Sequence, residues 1–315
     1  MEYNKPIAQM QPGDNVEGFY ILKNAAVKTS TNGKPFLSGA LADKDASVEV
    51  RAWDYAGPLG ADGEGKIVKI RGTVSEYRGT TQIVLDRIRL AEPADPVDRS
   101  ALVPTAPIDS EAAWQEIEQF VASMEDRDYQ AVCRILLERH GEALRTIPAA
   151  KSVHHGFVGG LLMHTRDMLR LADFLAGQYG SVVNRDLLLA GTLLHDFAKE
   201  QEFTRSELGL VTDYSVKGQL LGHLVMGAQE AADAAREAGI PEEKSVLLQH
   251  MILSHHGEPE YGAAVRPMCA ESELLSEIDI IDSRMEIYRE QLAQVPEGAF
   301  SGRIFALDKK IYHHA

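Results

Sequence analysis

Apolar and polar residues alternate along the first third of the chain, and this pattern changes to helical spacing after about residue 110. A two-residue alternation is typical of half-buried β-strands. It occurs in the segments 16–22, 35–42, 47–52, 67–76 and 81–90. Turn-forming residues separate these segments, among them Thr31-Asn32-Gly33. The pattern therefore predicts a small closed barrel of five short strands.

A proline-rich segment follows the predicted barrel. Residues 91–109 contain four prolines and show no periodicity, which is typical of a linker. Beyond a capping residue, Asp109 or Ser110, apolar residues recur every three or four positions. The spacing predicts helices over 111–124, 127–140, 156–177, 184–197, 217–238, 242–255 and 271–294.

These patterns predict a multidomain protein in which an all-β unit precedes an all-α unit. The OB-fold is the five-stranded Greek-key barrel that fits residues 1–92. A Pro-rich linker is expected over 93–109, and a helical bundle with a C-terminal tail over 110–315. The apolar tail, 300–312, is expected to pack back on the bundle or on a neighbouring copy, so the sequence leaves the oligomeric state open.

Charge and composition narrow the class of protein. The net charge of −15 argues against a protein that simply coats nucleic acid. Residues 1–95 carry 12 Lys and Arg against 13 Asp and Glu, so the acidity lies in the helical part. No apolar run reaches the roughly 20 residues that span a bilayer, and the N-terminus does not resemble a secretory signal. With two distant cysteines, Cys133 and Cys269, we expect a cytoplasmic protein with reduced thiols and no membrane partner.

Histidine and acidic residues recur inside the apolar helical segments. His164 ends GGLLMHT, and His195-Asp196 lies in LLHDFAK. The other members of the set are His223 in LLGHLV, His255 and His256 in ILSHHGEP, and Asp279 and Asp282 in EIDIIDSRM. Burying so much polarity without a metal would cost several kcal/mol. Imidazole and carboxylate ligands together suit a divalent ion such as Mn, Fe or Zn.

These motifs resemble the HD-domain metal-dependent phosphohydrolases over roughly residues 145–290. The resemblance rests on GGLLMHT, LLHDFAK, ILSHHG and the acid in IDII. It implies an all-α HD-domain bundle with a first ion held by His164, His195, Asp196 and Asp279. Asp282 lies one turn after Asp279 on the same helix face and stays an alternative ligand.

The additional histidines are arranged as in HD proteins that bind two metals. That resemblance implies a second ion held by His223 and by His255 or His256, with Asp196 bridging both ions. The other histidine of the pair would contact the substrate or an outer carboxylate. We expect two ions rather than one, with Mn²⁺ favoured and Fe, Zn, Co or Mg as alternatives.

Basic residues next to these motifs are candidates for phosphate contact. The HDxxK spacing of the resemblance places Lys199 near the phosphate, where it would neutralise a phosphoryl oxygen. A solvated lysine at a helix end is the alternative interpretation. One of His154 and His155, which precede the GGLL motif, is also expected to contact a substrate phosphate; a helix N-terminal residue without a partner is the alternative.

The order of barrel, linker and HD domain resembles the YhaM family of 3′-5′ exoribonucleases over nearly the whole chain. The segments that carry the resemblance are HHGFVGGLLMHT, AGTLLHDFAKE, GQLLGHLVMG, HMILSHHGEPEYG and ELLSEIDIIDSRM. It implies trimming of single-stranded RNA, and to some extent single-stranded DNA, from the 3′ end to nucleoside 5′-monophosphates. Hydroxide formed from a bridging water would attack the terminal phosphorus. The residues expected to take part in catalysis are Asp196, Lys199, His255 and His256.

The barrel is expected to hold the single strand by stacking bases on aromatic side chains beside cations. The aromatic candidates are Phe19, Tyr20, Phe36, Trp53 and Tyr77, of which about half must form the barrel core. Tyr77 and Arg78, at the turn before Gly79, are the best candidates for exposed contacts. Trp53 follows an alternating strand and is either a core residue or a stacking platform.

Three other functional classes stay open at this point. An HD phosphohydrolase acting on a cyclic nucleotide, an alarmone or a monophosphate would use the same metal site, but it would not need the barrel. A non-catalytic single-strand-binding adaptor is less favoured because the ligand set is complete. Di-iron oxygenase chemistry is the least favoured.

Overall fold

The computed structural model describes residues 2–30, 32–60, 63–77, 79–150, 156–206 and 208–314. The chain forms two compact units, Met1–Pro104 with Ser206–Leu208, and Thr105–Arg205 with Gly209–Ala315. The division after Pro104 falls inside the segment 93–109 that the sequence predicts as a linker. None of the helices in the described ranges is both long enough and apolar enough to cross a lipid bilayer.

The first unit is a closed β-barrel. Its strands are β1 (Glu2–Tyr3), β2 (Asn15–Thr29), β3 (Pro35–Ala42), β4 (Ser47–Trp53), β5 (Ile67–Tyr77) and β6 (Thr80–Leu90). Their order is β1-β2-β3-β4-β6-β5, and β5 also pairs with β2, which closes the barrel. The β4–β6 pair is parallel, and the other pairs of long strands are antiparallel. This is the Greek-key arrangement of an OB-fold, and it confirms the predicted fold.

The barrel core follows directly from the alternation in the sequence. In β5, Val68, Ile70 and Val74 are buried, whereas Arg71 between them is exposed. Strand β2 extends to Thr29, beyond the predicted end at residue 22. A bulge between Leu22 and Asn24 shifts the register there and interrupts the alternation from which the end was predicted.

The second unit is a helical bundle. Its helices are α1 (Ser110–Ala122), α2 (Arg127–Thr146), α3 (Gly160–Gln178), α4 (Arg185–Leu194), α5 (Lys199–Glu202), α6 (Val216–Ala238), α7 (Glu242–Ser254) and α8 (Ala270–Leu292). The predicted start of the third helix at residue 156 is wrong, because Gly159 adopts a left-handed conformation with φ of 76° immediately before α3. Asp109 caps α1 by accepting hydrogen bonds from the Glu111 and Ala112 amides, as expected.

In the second unit, one short α-helix and two short strands lack a counterpart in the sequence prediction. They are α5 and the two strands of a small hairpin, β7 (Phe203–Arg205) and β8 (Val211–Tyr214). Each has only three or four residues, too few to establish a period. Their positions matter because α5 directly follows the HD motif.

Helix α4 lies at the centre of the bundle. All of its residues from Asp186 to Leu194 are buried, and it packs against α1, α2, α3, α7 and α8. Because α4 ends at Leu194, the His195-Asp196 pair emerges inside the unit rather than at its surface. The C-terminal tail packs back on α8, where Ile304 and Ile311 contact Ile287, and this confirms one of the two expectations for the tail.

Candidate metal centre

Five helical elements deliver histidine and acidic side chains to one point in the second unit. His164 lies in α3, His195 caps the C-terminal end of α4, and His223 lies in α6. His255 caps the C-terminal end of α7 and is followed by His256, and Asp279 lies in α8. The structure thus brings together the seven residues that the sequence proposes as ligands: His164, His195, Asp196, His223, His255, His256 and Asp279.

The two oxygens of Asp196 face different groups of histidines. Oδ2 lies 3.3 Å from Nε2 of His195 and 3.7 Å from Nε2 of His164. Oδ1 lies 3.3 Å from Nε2 of His223 and 3.6 Å from Nε2 of His255. One carboxylate therefore stands between two clusters, and in each of them the potential ligand atoms lie within 4.8 Å of one another. The clusters are His164 with His195 and Asp196, and His223 with His255 and His256.

The two acids of α8 lie on opposite sides of the His164 imidazole. Asp279 Oδ1 is 3.5 Å from Nε2 of His164, the nitrogen that faces Asp196. Asp282 Oδ2 is 2.7 Å from the other nitrogen, Nδ1. This placement is compatible with Asp279 as a ligand and leaves Asp282 in contact with the opposite nitrogen of the ring.

Hydrogen bonds on the far side of the rings orient three more histidines. Nδ1 of His195 donates to the Thr192 carbonyl over 2.8 Å, and Nδ1 of His255 donates to the Ile252 carbonyl over 2.8 Å. Nδ1 of His223 lies 3.0 Å from Oε1 of Glu202. Because a backbone carbonyl can only accept, Nδ1 carries the proton in His195 and His255. In the neutral form of either ring, the lone pair is then on Nε2, the nitrogen that faces Asp196.

The electrostatics of the site favour an ionised Asp196 carboxylate and a neutral His255 imidazole, whereas the pKa of His195, which burial alone would lower, is raised by Asp196. Burial alone would raise the pKa of Asp196, but Lys199, His195 and His223 hold it well below its usual value. Burial, together with the neighbouring His195 and His256, keeps the pKa of His255 well below its ordinary value. A neutral imidazole with a free lone pair can act as a metal ligand.

The same residues leave buried polar atoms without partners. Among the described residues, four atoms of the centre are buried and form no hydrogen bond: Asp196 Oδ1, His223 Nε2, His255 Nε2 and His256 Nδ1. An unsatisfied buried polar group costs about 1–3 kcal/mol. Convergent nitrogen and carboxylate donors form the ligand set of a divalent transition metal, so the residues present fit such an ion.

Lys199 lies directly against this carboxylate. Its Nζ donates a hydrogen bond of 2.6 Å to Asp196 Oδ2. Burial would lower its pKa, but Asp196 raises the pKa above its ordinary value, so the ammonium stays charged. His154 and His155, the other expected phosphate contacts, lie outside the described residues.

Sequence reasoning missed Glu202 altogether. Its carboxylate is buried and holds both the backbone amide and the ring of His223. The residue lies in KEQE, three residues after Lys199, where a run of polar residues resembles a solvated helix end. No periodic or motif signal marks it.

On the barrel, two of the predicted nucleic-acid residues, Trp53 and Tyr77, have exposed side chains. Trp53 is 50% exposed, so it is not a core residue, and Tyr77 is 49% exposed. The Arg51 guanidinium lies 5.9 Å from the Trp53 ring centre and 5.6 Å from that of Tyr77. Phe19 and Tyr20 are buried. Arg78 lies outside the described residues.

A groove of about 530 Å³ begins beside Trp53 and crosses β5 and β6. Its cationic lining residues are Lys69, Arg71, Arg87 and Arg89. Arg71 and Arg87 are paired across the two strands, so their side chains share one face of the sheet. This groove and the Trp53–Tyr77 surface give the barrel both aromatic and positively charged contacts.

The fold and the site together define a class of protein: a metal-binding hydrolase in which an OB barrel precedes an HD domain. The family model described as HD domain matches residues 161–284. Among solved structures, the OB domain of a Thermoplasma acidophilum protein is similar, with 16% identity and a TM-score of 0.26, over 31% of this chain and 94% of that one.

Similarity over the full length specifies the family. The 3′-5′ exoribonuclease YhaM of Listeria welshimeri is 36% identical over 98% of both chains. The protein of the same name in Bacillus subtilis is 36% identical over 98% of both chains, and that of Listeria monocytogenes is 37% identical over 98% of both. The chain belongs to the YhaM family of 3′-5′ exoribonucleases.

Proposed function

We propose that this protein is a metal-dependent 3′-5′ exoribonuclease that shortens single-stranded RNA and releases nucleoside 5′-monophosphates. Single-stranded DNA is a second substrate in this proposal. It is supported by membership of the YhaM family and by one geometric observation: the two oxygens of Asp196 face two separate histidine clusters.

The division of ligands follows from that observation. His164, His195 and Asp279 would hold one ion on the Oδ2 side of Asp196. His223, His255 and His256 would hold a second ion on the Oδ1 side, with Asp196 shared. Mixed nitrogen and oxygen donors suit divalent transition ions in general, and the resemblance to the YhaM family favours Mn²⁺ among them. Such ions supply Lewis-acid chemistry and lower the pKa of a water molecule towards neutrality.

The protein's own groups position the substrate and balance its charge. The Lys199 ammonium neutralises charge on a non-bridging phosphoryl oxygen, because it stays protonated beside Asp196. Asp282 holds the His164 ring through Nδ1. No serine or cysteine nucleophile is needed. Cys133 is fully buried, and burial raises its thiol pKa, which makes it unreactive.

In this proposal the barrel supplies affinity for the single strand. Trp53 and Tyr77 offer exposed rings on which bases of any sequence can stack, and Arg51 lies between them. The cations of the β5–β6 groove would contact phosphates. A small nucleotide would gain little from these contacts, so the barrel favours a polymeric substrate over the alternative of a nucleotide hydrolase.

One gel tests the proposal. Purified protein is incubated with 5′-labelled single-stranded RNA, matched DNA or a blunt duplex, with Mn²⁺ or with EDTA. We expect a ladder that shortens from the 3′ end with Mn²⁺ and no shortening with EDTA. Asp196→Asn should be inactive, and the exposed control Asp233→Asn should retain activity. If all three polymers stay intact with Mn²⁺, the exonuclease assignment fails and release of phosphate from small nucleotides is tested instead.

A further inference from the structure

Helix α6 is interrupted immediately before His223. Helix α6 runs from Val216 to Ala238, but Gly222 within it has φ of 72° and ψ of 160°, which is not helical. A side chain at Gly222 would be strained in this conformation. The His223 amide therefore starts a new helical segment and lacks a helical carbonyl partner.

The carboxylate of Glu202 provides the hydrogen-bond acceptor for that amide. Glu202 Oε1 accepts a hydrogen bond of 3.0 Å from the backbone N–H of His223. The same oxygen lies 3.0 Å from Nδ1 of the His223 ring. One buried oxygen thus caps the second helical segment and holds the imidazole. Negative charge is favourable at such a helix N-terminus.

The backbone around Glu202 fixes the position of this carboxylate. The Glu202 carbonyl accepts a hydrogen bond of 2.8 Å from the Ser215 amide, and Gly218 packs so closely that a Cβ there would lie 2.3 Å from the same carbonyl oxygen.

We infer that Glu202 is a positioning residue for the second metal: it fixes the Nδ1–H tautomer of His223 and thereby presents the Nε2 lone pair to the ion shared with Asp196. This inference rests on the proposed two-ion centre. A carboxylate hydrogen-bonded to a metal-binding histidine fixes the ring and raises its basicity, and its loss typically lowers metal affinity 10- to 100-fold.

Two variants and a matched control test the inference. Glu202→Ala removes the acceptor, and Glu202→Gln keeps the size but not the charge. Glu271→Ala is the control, because Glu271 is also 7% exposed and accepts a hydrogen bond from a backbone amide, that of Asn184, at the start of α4. Its loss should affect stability without affecting His223.

The first readout needs no metal. The ¹⁵N chemical shifts of the imidazoles in ¹⁵N-histidine-labelled protein report the tautomer, and a His223→Asn spectrum assigns the His223 signals. We expect the Nδ1–H form in the wild type and in Glu271→Ala, and its loss in Glu202→Ala. The second readout is Mn²⁺ binding by calorimetry. We expect one ion of the two to bind 10- to 100-fold more weakly in Glu202→Ala and less strongly affected binding in Glu202→Gln.

The inference is overturned if His223 keeps the Nδ1–H form in Glu202→Ala, or if that variant binds Mn²⁺ as Glu271→Ala does. If Glu202→Ala does not fold, Glu202→Gln decides the question: Mn²⁺ affinity unchanged from the wild type would overturn the inference. A wild-type stoichiometry of one Mn²⁺ would refute the two-ion centre instead, while the tautomer measurement would still decide the role of Glu202.

Discussion

The Lys199 ammonium donates a 2.6 Å hydrogen bond to Asp196 Oδ2, the oxygen that also faces His195. In the proposed reaction, this ammonium would also neutralise charge on a phosphoryl oxygen that approaches the centre. The lysine is buried on most of its surface, so solvent screens this charge only weakly.

Replacing that lysine should reduce turnover more than metal binding. For Lys199→Gln we expect kcat to fall about 10²- to 10³-fold, because removing one electrostatic stabiliser of a transition state has effects of this size. Mn²⁺ affinity should change little. Single-turnover kinetics and calorimetry measure the two effects. Lys217→Gln is the control, since Lys217 contacts Gln201 on the exposed surface; an unchanged kcat in Lys199→Gln would refute the role.

The two acids of α8 should respond differently to neutralisation. Asp279→Asn removes a proposed ligand, so we expect activity to fall by more than about 10³-fold and one Mn²⁺ to be lost. Asp282→Asn weakens only the hydrogen bond that supports His164 Nδ1, so we expect activity to fall by about 10- to 100-fold. Metal content measured after gel filtration distinguishes them. The opposite ranking would make Asp282 the ligand.

Removing the exposed rings of the barrel should weaken RNA binding and leave the chemistry intact. Each of Trp53→Ala and Tyr77→Ala should cost about 1–3 kcal/mol in binding a single-stranded oligonucleotide. Fluorescence anisotropy in the Asp196→Asn background measures this loss without cleavage. In protein that keeps Asp196, the Trp53→Ala and Tyr77→Ala variants should hydrolyse a p-nitrophenyl ester of a nucleotide at the wild-type rate. Tyr179→Ala, another half-exposed tyrosine, is the control; equal affinity in all variants would place the RNA elsewhere.

Stability should depend on pH through His140. Its Nδ1 lies 2.8 Å from Glu200 and its Nε2 lies 2.5 Å from Glu230. Burial would lower the pKa of His140, but the two carboxylates raise it to about 9. Since the unfolded value is about 6.5, the stabilisation is complete below pH 6.5 and disappears as the pH rises through 9.

The shift corresponds to at most about 3 kcal/mol of unfolding free energy. Denaturant unfolding between pH 6 and 10 should therefore show a loss of stability in the wild type that is absent in His140→Gln. His313→Gln is the control, because the described side-chain hydrogen bond of His313 is to the Val295 carbonyl and not to a carboxylate. A wild-type profile that stays flat over this range would contradict the expectation.

Most of the secondary structure can be predicted from the sequence, because strands and long helices have characteristic periods of apolar residues. The two-residue alternation specifies the barrel strands, and the three-to-four spacing specifies the long helices. The motifs with His195 and His255 lie at helix ends, where a histidine in an apolar context is conspicuous. The periodicity of apolar residues does not predict which distant side chains contact each other. Asp279 and Asp282 are equivalent along the helix, and the separation of their roles depends on where α3 places the His164 ring.

Glu202 illustrates the same limit more strongly. Its importance arises from a non-helical glycine, Gly222, located 20 residues later, and from a hydrogen bond that exists only after α5 and α6 have packed. A single sequence carries no signal that predicts this contact between Glu202 and His223. The bulge in β2 is similar, because its position depends on the partner strand.

The histidines differ in how much of the fold they require. His195 and His255 each bond to the carbonyl three residues before them, so both rings acquire their direction from the end of their own helix. His164 relies on Asp282, 118 residues away, and His223 relies on Glu202, 21 residues away. Two of the five imidazoles are thus oriented within their own helix ends, and two others, His164 and His223, are oriented by residues of other elements. A partly folded chain with α4 and α7 formed would already orient the His195 and His255 imidazoles. The His164 and His223 rings would become oriented only when α8 and α5 pack into place.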